Sequence, residues 1–140
     1  MDNKILEFLK THNVSTLTLQ LSNGTPHAAV MHFSHKDDPF ELYFATKTTS
    51  KKCDALLSGG STKASFVTGF SEEEWVTLQM DGEVKIAKEN LEEISEIHYT
   101  KNPSSKRYKD EPGACLLVFT PTWWRYSNFK DKPPTIISSD

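Results

Sequence analysis

A mainly β (α+β) fold is predicted for this 140-residue chain. Its form is an antiparallel sheet of six or seven strands, curled into a small barrel with flanking helices. Three observations predict it. Most of the chain alternates apolar and polar residues with the period of two that gives a strand one dry face. The links between these stretches are mostly too short for the crossovers that parallel strands require. The longest stretch has Gly82 in its middle, as at a barrel corner.

The chain opens on a helix. Ile5, Leu6, Phe8 and Leu9 form one apolar stripe, Asp2 suits its N-cap and Asn13 its end. The period then switches: Leu17, Leu19 and Leu21 alternate with Thr16, Thr18 and Gln20. Asn23-Gly24 supplies the positive φ of a tight hairpin, so a second strand over 27–34 pairs antiparallel with the first. Residues 35–39 read as a polar loop and 41–46 as a third strand. A short helix follows, with Ser50 as cap, Cys53, Leu56 and Leu57 as its apolar side and Gly59-Gly60 as its stop. A fourth strand covers 64–68, an acidic loop 69–74 and a long fifth strand 75–87. Asn90 with Glu93 resembles a capping arrangement ahead of a helical stripe of Leu91, Ile94 and Ile97. Residues 102–113 read as loop, 114–120 as a strand, Pro121-Thr122 as a turn and 123–128 as the last strand. One domain is expected over 1–129, and 130–140 reads as a polar, loosely held tail.

Sixteen basic against nineteen acidic residues give a net charge of -3, which argues against a general nucleic-acid binder. No run approaches the roughly 18 apolar residues of a membrane span, so no membrane partner is expected. The first residues show no secretory pattern, and Cys53 and Cys115 cannot make a disulfide framework, so a cytoplasmic setting is expected. The hydrophobic fraction of 36% is low beside an aromatic fraction of 11%, a balance compatible with a dimer sharing aromatic surface.

Several chemistries have no motif here: no G-x-S-x-G elbow, no H-E-x-x-H, no Walker lysine loop, no G-x-G-x-x-G and no C-x-x-C. His32 and His35 fall on opposite faces, and His12, His27 and His98 have no ligand-spaced neighbours, so ordinary histidines are favoured over metal ligands. Two stretches carry more. In Phe44-Ala45-Thr46-Lys47-Thr48-Thr49-Ser50-Lys51-Lys52 a strand gives way to hydroxyl residues and then to two lysines at a helix start. Lysines there oppose the helix dipole unless an anion such as phosphate joins them; a solvated basic turn is the plainer alternative. In Thr122-Trp123-Trp124-Arg125-Tyr126, Trp123 and Arg125 share one strand face and Trp124 and Tyr126 the other. One face can join the core while the other meets a partner or a flat ligand, although packing in the core or a dimer interface is the favoured reading of such rings.

In this order the two stretches resemble the pyridoxamine 5'-phosphate oxidase-like family of flavin-binding split barrels, in particular its small general stress protein 26-like members. The matching residues are Asn23-Gly24-Thr25-Pro26-His27, Phe44-Ala45-Thr46 with Ser50-Lys51-Lys52, and the strand from Trp75 to Gly82. The resemblance implies a six- to seven-stranded split β-barrel and a homodimer with FMN in two interface clefts. It implies that the second strand, His27, Ala28, Ala29, Val30, Met31 and His32, lies along the flavin ring, with Ala45 and Thr46 beside the cofactor and Ser50, Lys51 and Lys52 on its phosphate. It further implies a ring contact from Thr77 or Gln79, and Trp124 and Arg125 supplied by the opposite subunit. Two departures stand out. His27 and His32 occupy the ends of the second strand, where the full oxidases carry basic residues. Nothing after Phe129 matches the segment with which those oxidases hold their substrate, so the resemblance does not carry pyridoxamine phosphate oxidation to this chain. Three functions follow as expectations: a flavin-dependent oxidoreductase with a small-molecule substrate or electron donor; a module binding FMN, heme or a deazaflavin without specific turnover; and a stress-associated dimer with a vestigial pocket.

Overall fold

The strand expected over 27–34 breaks at Phe33, and the break organises the molecule. In the computed structural model, which describes residues 1–140, Pro26–His32 forms β2 and Ser34–Lys36 a separate β3. β2 pairs with β1 (Val14–Gln20), whereas β3 pairs with β4 (Glu41–Lys47). The remaining strands are β5 (Thr62–Gly69), β6 (Val76–Ile86), β7 (Ala114–Asn128) and β8 (Thr135–Ser138). The antiparallel sheet runs β2-β1-β5-β6-β7-β4-β3, with β8 on β7. Two strands adjacent in sequence therefore lie at opposite edges of one sheet. The sheet curls until those edges meet at Phe33, where the barrel is joined by the chain itself and not by a hydrogen-bond ladder. Phe33 is fully buried at this seam, and its N–H donates to the Asn13 carbonyl at 3.1 Å.

The alternation read from the sequence places the core. Leu17, Leu19, Phe44, Phe66, Leu78, Met80, Leu117 and Phe119 point inward and are buried. Phe33 and Phe119 both meet Phe66, Phe33 edge-on with centroids 5.1 Å apart, an arrangement suited to ring quadrupoles. Helix α1 (Asn3–Lys10) adds Ile5, Phe8 and Leu9 to this core, and the Asp2 carboxylate accepts from the Lys4 amide at 2.7 Å, as the N-cap reading requires. Helix α2 (Leu91–Lys101) lies outside the barrel, where Ile94 packs with Tyr43, Ala87 and Val118. The hairpin turn is as expected: Gly24 has φ 88, and the Asn23 side chain accepts from the Thr25 amide at 3.0 Å.

Several expectations are corrected. Thr11, not Asn13, ends α1. The loop expected over 35–39 begins inside β3. The helix after Ser50 is one 3-10 turn, Lys51–Cys53, and Ser50 does not cap it; its hydroxyl donates to the Lys47 carbonyl at 2.8 Å. Hydroxyl side chains compete in this way with helical hydrogen bonding. Asn90 adopts φ 55 and makes no side-chain cap, and the buried side of α2 is Ile94, His98 and Tyr99, with Leu91 half exposed. Pro103–Tyr108 adds a 3-10 turn inside the expected loop. Pro121-Thr122 does not divide the last two strands. β7 bends there as one strand against the bulge at Asp81/Gly82, where a Cβ on Gly82 would stand 2.1 Å from the Thr120 carbonyl oxygen. The stretch after Phe129 is not loose throughout, since β8 pairs with β7 over Thr135–Ser138. No helix is long and apolar enough to cross a membrane.

Candidate functional site

A cleft of about 470 Å³ opens beside the seam. β2 contributes Val30, Met31 and His32; β4 and its following turn contribute Ala45, Thr46, Lys47, Thr49, Ser50 and Lys52; α2 and the turn after it contribute His98, Tyr99, Ser105 and Tyr108. The strand break explains the meeting. Because β2 and β3 sit at opposite sheet edges, curling brings the C-terminal end of β2 against that of β4.

The turn after β4 is tightly built. The Ser50 amide donates to the Lys47 carbonyl at 3.0 Å, and the Ser50 hydroxyl stands 3.3 Å from that of Thr46. Thr48 donates to the Gly113 carbonyl at 2.8 Å, fixing the turn to the start of β7. The backbone amides of Thr49, Lys51 and Lys52 make no hydrogen bond within the chain. Neither Lys51 nor Lys52 forms an ion pair, whereas Lys47 is neutralised by Glu111. The hydroxyls of Thr46, Thr49 and Ser50 and the unpaired ammonium of Lys52 line the cleft together, with free backbone amides in the same turn, a set of groups suited to a phosphate. Lys51 lies on the other side of the same turn, where Thr49 and Ser50 also line an adjoining depression with Asn23, Asp54 and Leu57.

Behind the cleft lies a buried polar group. His98 is 1% exposed, and its Nδ1 is 2.8 Å from the Ser34 hydroxyl. Burial first, then His32 and Lys101, push its pKa down to about 4, so the ring is neutral near pH 7. Asn102 locks the same region by donating to the Phe33 and His98 carbonyls at 3.1 and 3.2 Å. Lys101 donates to the Leu9 carbonyl at 2.7 Å and lies 4.0 Å above the Phe33 ring, with burial lowering its pKa to about 8. Cys53 and Cys115, distant in sequence, become neighbours: burial first and then Cys53 raise the Cys115 thiol to about 11.

The candidates from sequence fall into separate places. Val30, Met31, His32, Ala45, Thr46, Ser50 and Lys52 line the cleft together. His27, Ala28 and Ala29 lie further along β2, with Ala29 packed on the core. Thr77, Gln79, Trp124 and Arg125 lie away from the cleft on β6 and β7. Trp124 packs against the core, so the outward ring of that pair is Trp123, with the Arg125 guanidinium 5.4 Å from its centroid. The Thr77 hydroxyl donates to the Thr68 carbonyl at 3.4 Å. Gln79 and Arg125 are exposed on an open outer face, where strand register sets Val30, Thr16, Val67, Gln79 and Arg125 in one row. Val30 is 74% exposed there. Sequence reasoning missed Lys47, Thr49, His98, Tyr99, Ser105 and Tyr108. The first two sat within the hydroxyl stretch already noted; the others belong to elements whose approach to the cleft no local pattern encodes.

The sequence model of the family described as Pyridoxamine 5'-phosphate oxidase matches residues 1–128. Among the curated proteins none matches. The chain is similar to the general stress protein 26 of Bacillus anthracis at 23% identity, with 96% of this chain and 95% of that one covered and a TM-score of 0.69. It is similar to a general stress protein 26-related protein of Clostridium acetobutylicum at 17% identity, 100% and 98% coverage and a TM-score of 0.69. It is also similar to a heme binding protein of Mycobacterium smegmatis at 14% identity and a TM-score of 0.72, with 92% of this chain but 53% of that one covered. These likenesses establish the shared fold.

Proposed function

We propose, from the premise that this chain belongs to the pyridoxamine 5'-phosphate oxidase family, that its cleft holds FMN and serves a flavin-dependent oxidoreductase. The observation that carries this reading is the two-part lining: Thr46, Thr49, Ser50 and Lys52 for a phosphate, and the exposed side of β2 at Val30 and His32 for a flat ring. A cleft of about 470 Å³ is within the usual range of small-molecule sites. Bound FMN would supply electron transfer at its ring. The protein's part is then to hold the phosphate at the turn after β4, to lay the ring on β2 and to leave one ring face for a small substrate or electron donor. We further propose a homodimer through the open outer face. The row from Val30 to Arg125 offers a partly apolar surface, of the kind that marks interaction sites. A second copy seated there would bring Gln79, Trp123 and Arg125 to its partner's cleft.

A second reading, heme, is favoured by two imidazoles, His32 and His98, at the cleft wall. The visible spectrum of the purified protein separates the two. Flavin bands, with FMN released on denaturation, support the first reading; a Soret band supports the second. A colourless protein that takes up neither added FMN nor hemin refutes both. Sedimentation analysis tests the dimer: Val30→Lys is expected to shift the wild-type dimer to monomer, and a monomeric wild type refutes the assembly.

A further inference from the structure

His98 has no role in a phosphate site, yet it is a buried polar side chain held in the cleft wall. Its Nδ1 is taken by Ser34. Its Nε2 has no protein partner, and the one sealed, unpartnered side-chain polar atom in the molecule is Oδ1 of Asn102. Nε2 is therefore not sealed in, and His98 is among the residues that line the cleft. We propose that His98 binds the uncharged polar edge of the flavin ring through Nε2, with Ser34 as the positioning residue that sets the imidazole's orientation and tautomer. The proposal rests on the FMN reading.

Distance along the fold supports it. Ser34, which anchors His98, is paired with Tyr43, and the phosphate-suited turn begins at Thr46. Three residues of strand span roughly 10 Å, comparable to the reach of a ribityl chain. A phosphate at the turn thus leaves a ring edge near His98. The pyrimidine edge of isoalloxazine alternates carbonyl oxygens with an N–H. A neutral imidazole answers it with one donor or one acceptor and places no charge on the ring. His32 lines the same cleft but is exposed and has no hydrogen-bond partner to fix it, so it lacks this preorganisation.

The test uses the full chain titrated with FMN and with riboflavin. His98→Phe keeps the ring volume and removes the hydrogen bond. It is expected to weaken both ligands by about tenfold, leave their affinity ratio unchanged and shift the bound flavin's absorption band. Ser34→Ala is expected to weaken both by a smaller factor with the same band shift. In the wild type, the imidazole Nε2 nitrogen resonance of His98 should move on adding riboflavin and stay in place on adding inorganic phosphate. This arm holds even where the variants fold poorly. Wild type that binds FMN with an unmoved Nε2 resonance, or a folded His98→Phe that binds both flavins as wild type does, overturns the inference and leaves the FMN reading intact. Wild type that binds neither flavin overturns the reading and the inference together. A hemin Soret band that depends on His98 assigns the residue to iron and also overturns it.

Discussion

Two hollows flank α2, and the larger is the poorer candidate. The groove on one side encloses about 860 Å³ and is lined by Glu92, Glu96, Lys106, Lys109 and Asp110 among others. The cleft on the other side encloses about 470 Å³. In the groove the charges of both signs are exposed and solvated, and nothing fixes them on a common point. In the cleft one ammonium lacks a counter-charge, two hydroxyls touch, and one imidazole is locked from behind. Convergent, pre-positioned polar groups mark a site better than volume does.

The contrast can be broken by experiment. The largest effect expected is on stability in acid. Burial lowers His98 to about 4 in the folded chain against 6.5 as its ordinary value. On acidification the unfolded chain takes up that proton first, so the folded state loses stability. The contribution is complete above pH 6.5 and lost progressively down to about pH 4. It amounts to roughly 3 kcal/mol. His35, also lowered by burial, adds loss of the same sign. Urea unfolding at pH 7.5 and 4.5 measures this, and His98→Phe should flatten much of the difference. An unchanged slope in that variant would mean that the cleft wall is not the acid-sensitive element.

Next comes the phosphate end. Lys52→Ala is expected to weaken FMN by about tenfold or more and riboflavin very little. Lys51→Ala should cost less, because Lys51 lines the neighbouring depression. Equal losses of FMN and riboflavin in Lys52→Ala would remove the phosphate assignment. The smallest effect belongs to the groove. Lys106→Ala and Lys109→Ala should change stability by under about 0.5 kcal/mol and leave FMN affinity alone. A tenfold loss of FMN from either would reverse the ranking of the two hollows.

The barrel was legible because alternation, the Asn23-Gly24 turn and the Gly82 bulge are local signals, each confined to a few residues. The phosphate-suited turn was legible for the same reason, although the helix assigned to it shrank to one 3-10 turn. The break at Phe33 was not. Its neighbours continue the alternation, and what divides them is the choice of β1 or β4 as partner, a tertiary matter. His98 was missed because a histidine in a helical stripe looks like any half-buried ring until Ser34, from another edge of the sheet, is placed against it. Trp123 and Trp124 were correctly set on opposite faces, but only packing decides which face is the core.

The seam at Phe33 has a dynamic consequence. Elsewhere, parting two neighbouring strands breaks a backbone ladder. Between β2 and β3 there is no ladder to break; beyond the core packing of Phe33 and its N–H bond to Asn13, the seam is closed by side-chain clasps: Asn102 on the Phe33 carbonyl, Lys101 over the Phe33 ring, and the Ser34–His98 pair. The barrel can therefore gape there at a fraction of the free energy of global unfolding, as a sub-global opening. The clasps come from α2 and its C-cap Asn102, the segment that also walls the cleft, so a motion that loosens the seam also widens the cleft.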